Sequence, residues 1–339
     1  MTIRAKAPLR VSFAGGGTDV APFPALEGGA VLSATIDRYA YGSLTPRSDG
    51  RIRIESVDLA RSLEFAIGPS ADRALRFNGE LDLPKAVLRR LCIQPDGGFD
   101  VLLRSTVPPG SGLGSSSTVA AVLVGLIREH HRIDLSPYQT AQLAFEIERL
   151  DLGIDGGLQD HYAAVFGGFN FIEFGNGVVV NALRMPDAVV NELELNLLLV
   201  DTGITRDSGR ILEDQTNRVE EKDADTLDAL RAQKALAVEM KAALLRGEPG
   251  TFGDLLGEAW RQKRRMSPHI ATARIDEVYE VAARHGARGG KVTGAGGGGH
   301  ILFYCDFSTK HRVAEALEAM GVGTSDVAFA RSGLTTWRS

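Results

Sequence analysis

The chain has 339 residues, 44% hydrophobic and 24% charged, with a net charge of −5. This is an ordinary composition for a soluble protein, and long enough for about two domains with their own cores. No lysine or arginine block suggests a nucleic-acid surface, no apolar run reaches the ~18 residues of a membrane helix, and the widely separated Cys92 and Cys305 argue against a disulfide framework or a cysteine zinc site and fit a reducing cytoplasm.

Met1–Ala7 is not followed by a signal-type apolar core. Residues 3–13 read as a strand leading into Gly15-Gly16-Gly17-Thr18-Asp19. Residues 30–45 and 51–57 carry strand patterns, with Ser48-Asp49-Gly50 expected as a hairpin turn between them. Residues 84–92 read as a helix, because Pro84 suits a first turn and Val87, Leu88 and Leu91 share a face. Phe99–Leu103 is a strand that runs into a glycine-rich loop. The helix predicted over 117–131 is apolar almost all round and therefore buried. Ser136-Pro137 opens a third helix, expected to reach about Leu150. A second glycine-rich loop, Gly153 to His161, carries acids and leads through a helical turn and Gly167-Gly168 to a strand at 169–174.

After about residue 185 the character changes. Leu195–Val200 reads as a buried strand, and 208–220 and 224–246 as amphipathic helices. Thr251 and Asp254 make a capping-box pattern for a helix reaching about Met266. A helix over 273–285 stops at Gly286; a strand ends near Thr293, and 300–305 returns as its partner. A helix over 309–320 and a strand over 325–331 close the chain. The order strand, helices, strand, strand, helix, strand is the split βαβ pattern of ferredoxin-like folds.

Chemistry concentrates in Pro108-Pro109-Gly110-Ser111-Gly112-Leu113-Gly114-Ser115-Ser116-Ser117-Thr118. Glycines let backbone approach a ligand closely, and a helix start behind them is an anion site whose usual guest is phosphate. The hydroxyls stand where an N-cap is expected, and one of them could also ligate magnesium. No lysine follows Gly114, so this is not a Walker A loop. Gly294 to Gly299 fits GxGxxG but precedes a strand, which excludes the dinucleotide reading. The seven histidines show no metal spacing, and His130 and His131 read as a solvated helix end. Asp160 follows the second glycine loop, where a carboxylate could take a proton from a hydroxyl; Asp151 and Asp155 are alternatives. Glu146 and Glu148 lie about 200° apart on a helix, so at most one faces a site.

Pro8–Asp19, Pro108–Ser117 and Lys291–Gly298 resemble the three motifs of the GHMP small-molecule kinases, a family that includes galactokinase, homoserine kinase and mevalonate kinase. They stand in the family's order and spacing and cover nearly the whole chain. The resemblance implies an α+β, two-domain GHMP kinase fold. A ribosomal-S5-like N-terminal domain would span 1–185 and a ferredoxin-like C-terminal domain 186–339. It implies that Pro109, Gly110, Gly112, Leu113, Gly114, Ser115, Ser116 and Ser117 wrap the phosphates of ATP. Ser116 and Glu148 would hold Mg2+, with Ser115 and Ser117 as neighbouring alternatives to Ser116. Asp160 would be the catalytic base and Arg10 would stabilise the transferring phosphoryl group. Asp19 would hold sugar hydroxyls, within a substrate site that includes Gly15, Gly16, Gly17, Thr18, Gly157, Gly296 and Gly297.

Within the family, Gly15–Asp19, Gly157–Asp160 and Val165–Asn170 are most similar to members that phosphorylate the anomeric hydroxyl of a heptose 7-phosphate. Galactokinase has Glu-His where this chain has Gly16-Gly17, and the loss of charge and side chain suits a bulkier or anionic sugar. Such a substrate needs a cation at its far end. Arg206, in a strand-to-helix junction, is the first choice for it; Lys263, Arg264 and Arg265 read equally well as a basic last turn complementing its helix dipole. A catalytically silent sugar sensor is the alternative of a different class, and the joint presence of Asp160, Glu148, Ser116 and Arg10 favours an enzyme over it.

Overall fold

A computed structural model describes residues 1–68, 71–91, 97–204 and 209–339. The first half runs β1 (Ile3–Ala14), α1 (Phe23–Glu27), β2 (Gly29–Arg47), β3 (Arg51–Ser56), β4 (Arg61–Ala66), α2 (Ala71–Ala74), α3 (Asp82–Leu91), β5 (Gly98–Ser105), α4 (Ser115–His131), α5 (Pro137–Phe145), a π-helical stretch (Glu146–Asp151), α6 (Gln159–Phe166), β6 (Phe169–Gly175) and β7 (Gly177–Ala182). The second runs α7 (Asp187–Asn196), β8 (Leu197–Asp201), α8 (Gly209–Glu220), α9 (Ala224–Arg246), α10 (Pro249–Arg265), α11 (Ala273–His285), β9 (Ala287–Val292), β10 (His300–Cys305), α12 (Phe307–Glu318), β11 (Gly323–Asp326) and β12 (Thr335–Arg338).

The first sheet has the order β12-β1-β2-β5-β3-β4, with β6 and β7 continuing from the other end of the long β2. The second has the order β11-β8-β10-β9, all antiparallel, as the split βαβ pattern requires. The expected hairpin through Ser48-Asp49-Gly50 does not form. β5 lies between β2 and β3, antiparallel to one and parallel to the other. Gly98 permits this close insertion, because a Cβ there would lie 2.0 Å from the Arg51 carbonyl oxygen. The hairpin in this region is β3–β4. The closing strand also divides: β11 ends at Asp326, Phe329 bridges to Ile36, and β12 pairs with β1 in the first sheet.

Other boundaries shift for local reasons. α10 starts at Pro249, one turn before the expected capping box, and Asp254 pairs with Arg288 instead of capping. Leu195 and Asn196 belong to α7, and the strand begins at Leu197. The helix from Pro137 widens into π geometry at Glu146.

Helix α4 is the centre of the first core: Ala120 to Val124 and Leu126, each at most 2% exposed, pack beneath β1 and β2 and against α3, α5 and α6. A second core joins the two halves, where Phe13 of β1 meets Phe252 of α10 edge-on at 5.0 Å. Because the halves share this core, loops from both sheets reach one cleft. A tight seam in the second half is α10 on β9: a Cβ at Gly289 would lie 2.1 Å from the Gly253 carbonyl oxygen. Gly289→Ala should therefore destabilise the protein by about 1–3 kcal/mol in urea unfolding. Gly175→Ala, with nothing within 4 Å of the new methyl group, should stay within about 0.5 kcal/mol of wild type. Equal stability of the two variants would contradict this packing.

Candidate active site

Gly110, Gly112 and Gly114 all take left-handed φ values of 76–78°, which only glycine adopts readily. Backbone bonds from both sheets pin the loop between them. The Arg10 N–H donates to the Leu113 carbonyl at 3.1 Å, and the His300 N–H to that of Ser111 at 3.2 Å. The loop ends in Gly114, the N-cap of α4, where no side chain caps the helix. The serines therefore do not cap, contrary to expectation, and the first-turn N–H groups keep their affinity for an anion.

The serine hydroxyls have a different partner. Ser116 Oγ donates to Glu148 Oε1, and Ser117 Oγ donates to Oε2 at 2.6 Å. Ser115 Oγ instead meets Ser105 Oγ at 3.4 Å, so Ser116 is the hydroxyl exposed beside Glu148. The π-helical stretch turns Glu148 inward, while Glu146 accepts from Gln142 and lies 3.7 Å from Arg90. His161 Nε2 sits 2.6 Å from Glu148 Oε2, and Arg149 lies 3.5 Å from the same oxygen. Burial pushes the Glu148 carboxyl up, but the bond and charge of His161, with Arg149 and Ser116, hold it down at about 2.

In the same cleft, Arg10 donates through Nε to Asp160 Oδ1 at 2.7 Å and through Nη1 to the Gly112 carbonyl at 2.7 Å. Asp160 lies in the first turn of α6, and Gly114 faces its Oδ2: a Cβ there would stand 3.4 Å from that oxygen. Asp155 also lines the cleft, whereas Asp151 is held by Arg90 at 2.6 Å and does not. Asp19 accepts from the N–H groups of Gly17 and Gln159 and from Gln159 Nε2, each at 3.1 Å. Burial raises its pKa, and Asp160 raises it further.

The cleft, a cavity of about 190 Å³, is lined by Arg10, Gly16, Gly17, Asp19, Gly110, Gly112, Gly114, Ser115 to Ser117, Glu148, Gly157, Asp160 and Gly296. Pro109, Gly15, Thr18, Leu113 and Gly297 do not line it. The Thr18 hydroxyl is spent on the carbonyls of Gly15 and Ala30, and Leu113 is a core residue. Gly17 does not leave the expected room for a larger sugar, because Met266 Cε lies 2.2 Å from where its Cβ would be. Gly157 is required by Asp19 itself: a Cβ there would lie 1.9 Å from Oδ2. Arg206 lies outside the described residues.

Sequence reasoning overlooked Arg149, Gln159 and Gln215, which also line the cleft, and His161, whose place beside Asp160 was its only clue. It left Lys263 undecided. Arg264 and Arg265 pair outward with Asp276 and Asp225, but Lys263 is 3% exposed and lines the cleft. Among the described residues no group of three or more His, Cys, Asp or Glu could hold a metal ion alone, and no helix is long and apolar enough to cross a membrane.

An uncapped helix start behind a glycine loop, beside an arginine-held carboxylate, suits a phosphate-bearing ligand. Residues 82–168 match the GHMP kinases N terminal domain, and residues 240–323 the GHMP kinases C terminal domain. The chain is 38% identical over 342 aligned residues, covering 99% of both proteins, to a D-glycero-alpha-D-manno-heptose 7-phosphate kinase of Campylobacter jejuni. It superimposes on the crystal structure of a D-glycero-D-manno-heptose 1-phosphate kinase from Bacteroides thetaiotaomicron with a TM-score of 0.82, at 34% identity and with 99% of each chain covered. Lactococcus lactis galactokinase in complex with galactose shares the fold at a TM-score of 0.78 and 19% identity, over 98% of this chain and 95% of that one. The protein belongs to the GHMP kinase family and is an ATP-dependent phosphotransferase with the family's two-domain fold.

The depressed Glu148 pKa makes a prediction about stability. A carboxyl held at about 2, against an ordinary 4.5, contributes stability above pH 4.5 that is lost as pH falls towards 2. Urea unfolding across that window should show wild type losing of order 3 kcal/mol more than Glu148→Gln. Parallel stability–pH curves for the two proteins would contradict the charged state of Glu148.

Proposed function

We propose that this enzyme transfers the γ-phosphoryl group of ATP to the anomeric (C1) hydroxyl of a heptose 7-phosphate, giving the 1,7-bisphosphate. The observation that carries the chemistry is the pairing of Asp160 with Arg10 at the mouth of the glycine loop. The full-length likeness to a heptose 7-phosphate kinase supports the choice of sugar.

Asp160 Oδ1 is committed to Arg10, and Oδ2 takes the hydroxyl proton. The sugar oxygen forms a bond to the γ-phosphorus as the bond to the bridging oxygen breaks, and ADP leaves. Arg10 faces the charge that spreads over the transferred group, and the N–H groups at the start of α4 hold the phosphates. Asp19, with three of its acceptor sites filled, can still accept a sugar hydroxyl. Gly16 and Gly296 also line the cleft. The Ser116 hydroxyl and the ionised Glu148 carboxylate are hard oxygen donors side by side, and they fit Mg2+, which takes few protein ligands and completes its shell with phosphates and water. When bound, the ion would neutralise phosphate charge.

The two heptose kinase relatives agree on a heptose phosphate and differ in the position of the phosphate. A substrate panel decides between them. Heptose 7-phosphate should exceed both heptose 1-phosphate and free heptose by at least ~100-fold in kcat/KM, the worth of charge-assisted contacts to a remote phosphate. Asp160→Asn should lower kcat on the same sugar by ~10²-fold or more, with ATP binding retained. Equal efficiency on phosphorylated and free heptose would overturn the substrate, and near-wild-type turnover of Asp160→Asn would remove the base.

A further inference from the structure

The C-terminal half supplies one cation to the cleft that the mechanism above does not use. Lys263, on the inward face of α10, is 3% exposed and yet lines the cleft. Its Nζ donates to the Gly294 carbonyl. An ammonium has three protons to donate, and no second acceptor for Nζ stands among the described residues. Gly294 packs directly on the glycine loop: a Cβ there would lie 2.8 Å from the Gly112 carbonyl oxygen. That Gly112 oxygen is the one to which Arg10 donates. Two cations, one from each half of the protein, are thus bound to two touching carbonyl segments beside the anion loop.

Among the described residues, the charged groups that act on Lys263 belong to the same centre. Arg10 comes from β1, Asp19 from the loop after it, Asp160 from α6 and Lys291 from β9. Lys291 is buried and donates to the Ser12 carbonyl at 2.9 Å, and burial drives its pKa well below the usual lysine range, with Lys263 and Arg10 adding to the effect. Arg10, Lys263 and Lys291 thus share this centre with Asp19 and Asp160. A dianionic phosphoryl group in the cleft brings further negative charge, and the Lys263 ammonium is a counter-charge placed beside it.

We propose that Lys263 is a catalytic residue, contacting the phosphoryl group under transfer together with Arg10. The proposal rests on the phosphotransfer reading above. The bonds made and broken are those already given, and the proton still goes to Asp160. Lys263 contributes charge stabilisation as oxygen charge develops, in a site where burial strengthens it. It also makes activity depend on both halves of the protein, because α10 must be docked for Lys263 to reach the glycine loop.

Burial and Arg10 lower the Lys263 pKa, Asp19 and Asp160 oppose them, and the balance is about 8. The ammonium is therefore present below that pH and lost above it, which gives a readout that a merely structural role would not move. The test measures kcat, the KM for ATP and kcat/KM for the sugar phosphate from pH about 6 to about 10 in wild type, Lys263→Met and Lys263→Arg, kcat/KM reporting the free enzyme. Thermal unfolding is recorded for each protein. Lys263→Met should lose ~10²-fold or more in kcat, as for a lost donor at a developing oxyanion, with ATP affinity little changed. Wild type should lose kcat/KM as pH rises through about 8, and Lys263→Arg, which stays charged, should recover part of kcat and lack that alkaline limb. Wild-type kcat in Lys263→Met, or an alkaline limb unchanged in Lys263→Arg, would overturn the proposal. If Lys263→Met does not fold, the Lys263→Arg profile decides. Should the acceptor prove to be another sugar, the same series on that sugar judges Lys263 separately from the substrate assignment.

Discussion

The ion pair between Arg10 and Asp160 is the interaction on which the rest of the site depends. Its side chains are 4% and 16% exposed, and one guanidinium joins β1, α6 and the glycine loop. A buried ion pair is a weak source of stability, because desolvation offsets most of the attraction. What the pair supplies is position. It fixes one carboxylate oxygen and leaves the other facing the loop where phosphate would sit. It also keeps a cation within reach of that phosphate before any ligand arrives. This prior ordering suits phosphoryl transfer, in which protein groups mainly position and neutralise.

Glu148 follows the same logic with different partners. Glu148 is fully buried and remains ionised, because His161, Arg149 and two serine hydroxyls surround it. The π-helical widening that aims it inward also turns Glu146 outward to Arg90. The site therefore gives its carboxylates different partners: Glu148 has His161, Arg149 and the serines, and Asp160 has Arg10. Gly157 lets the backbone close on Asp19, and Met266 fills the space beside Gly17. Small residues here serve close packing around the carboxylates more than they enlarge the sugar pocket.

Much of this was legible in the sequence where one residue type settles one conformation. Three alternating glycines before a run of hydroxyls announced a sharply turned loop ahead of a helix, and the uncapped start of α4 lies where they stop. The split βαβ order of the second half was legible in hydrophobic period and glycine stops. Long-range pairing was not. The turn at Ser48–Gly50 permits a reversal but does not choose a neighbour, and β5, arriving some fifty residues later, takes the place beside β2. Lys263 could not be separated from Arg264 and Arg265 in the sequence, because all three complement a helix end and only packing shows which one turns inward. Thr18 and Leu113 stand inside motif stretches, and burial shows them to be supports of the site.

The central claim is that Arg10 and Asp160 act as one unit, and a double-mutant cycle tests it most directly. Single-turnover rates of the sugar kinase reaction would be measured for wild type, Arg10→Ala, Asp160→Asn and the double variant. Residues acting as a unit are strongly non-additive. The account predicts that the double variant is no slower than the slower single variant by more than about threefold. Losses that multiply, so that the double variant falls by the product of the two single effects, would show two independent residues and contradict the account.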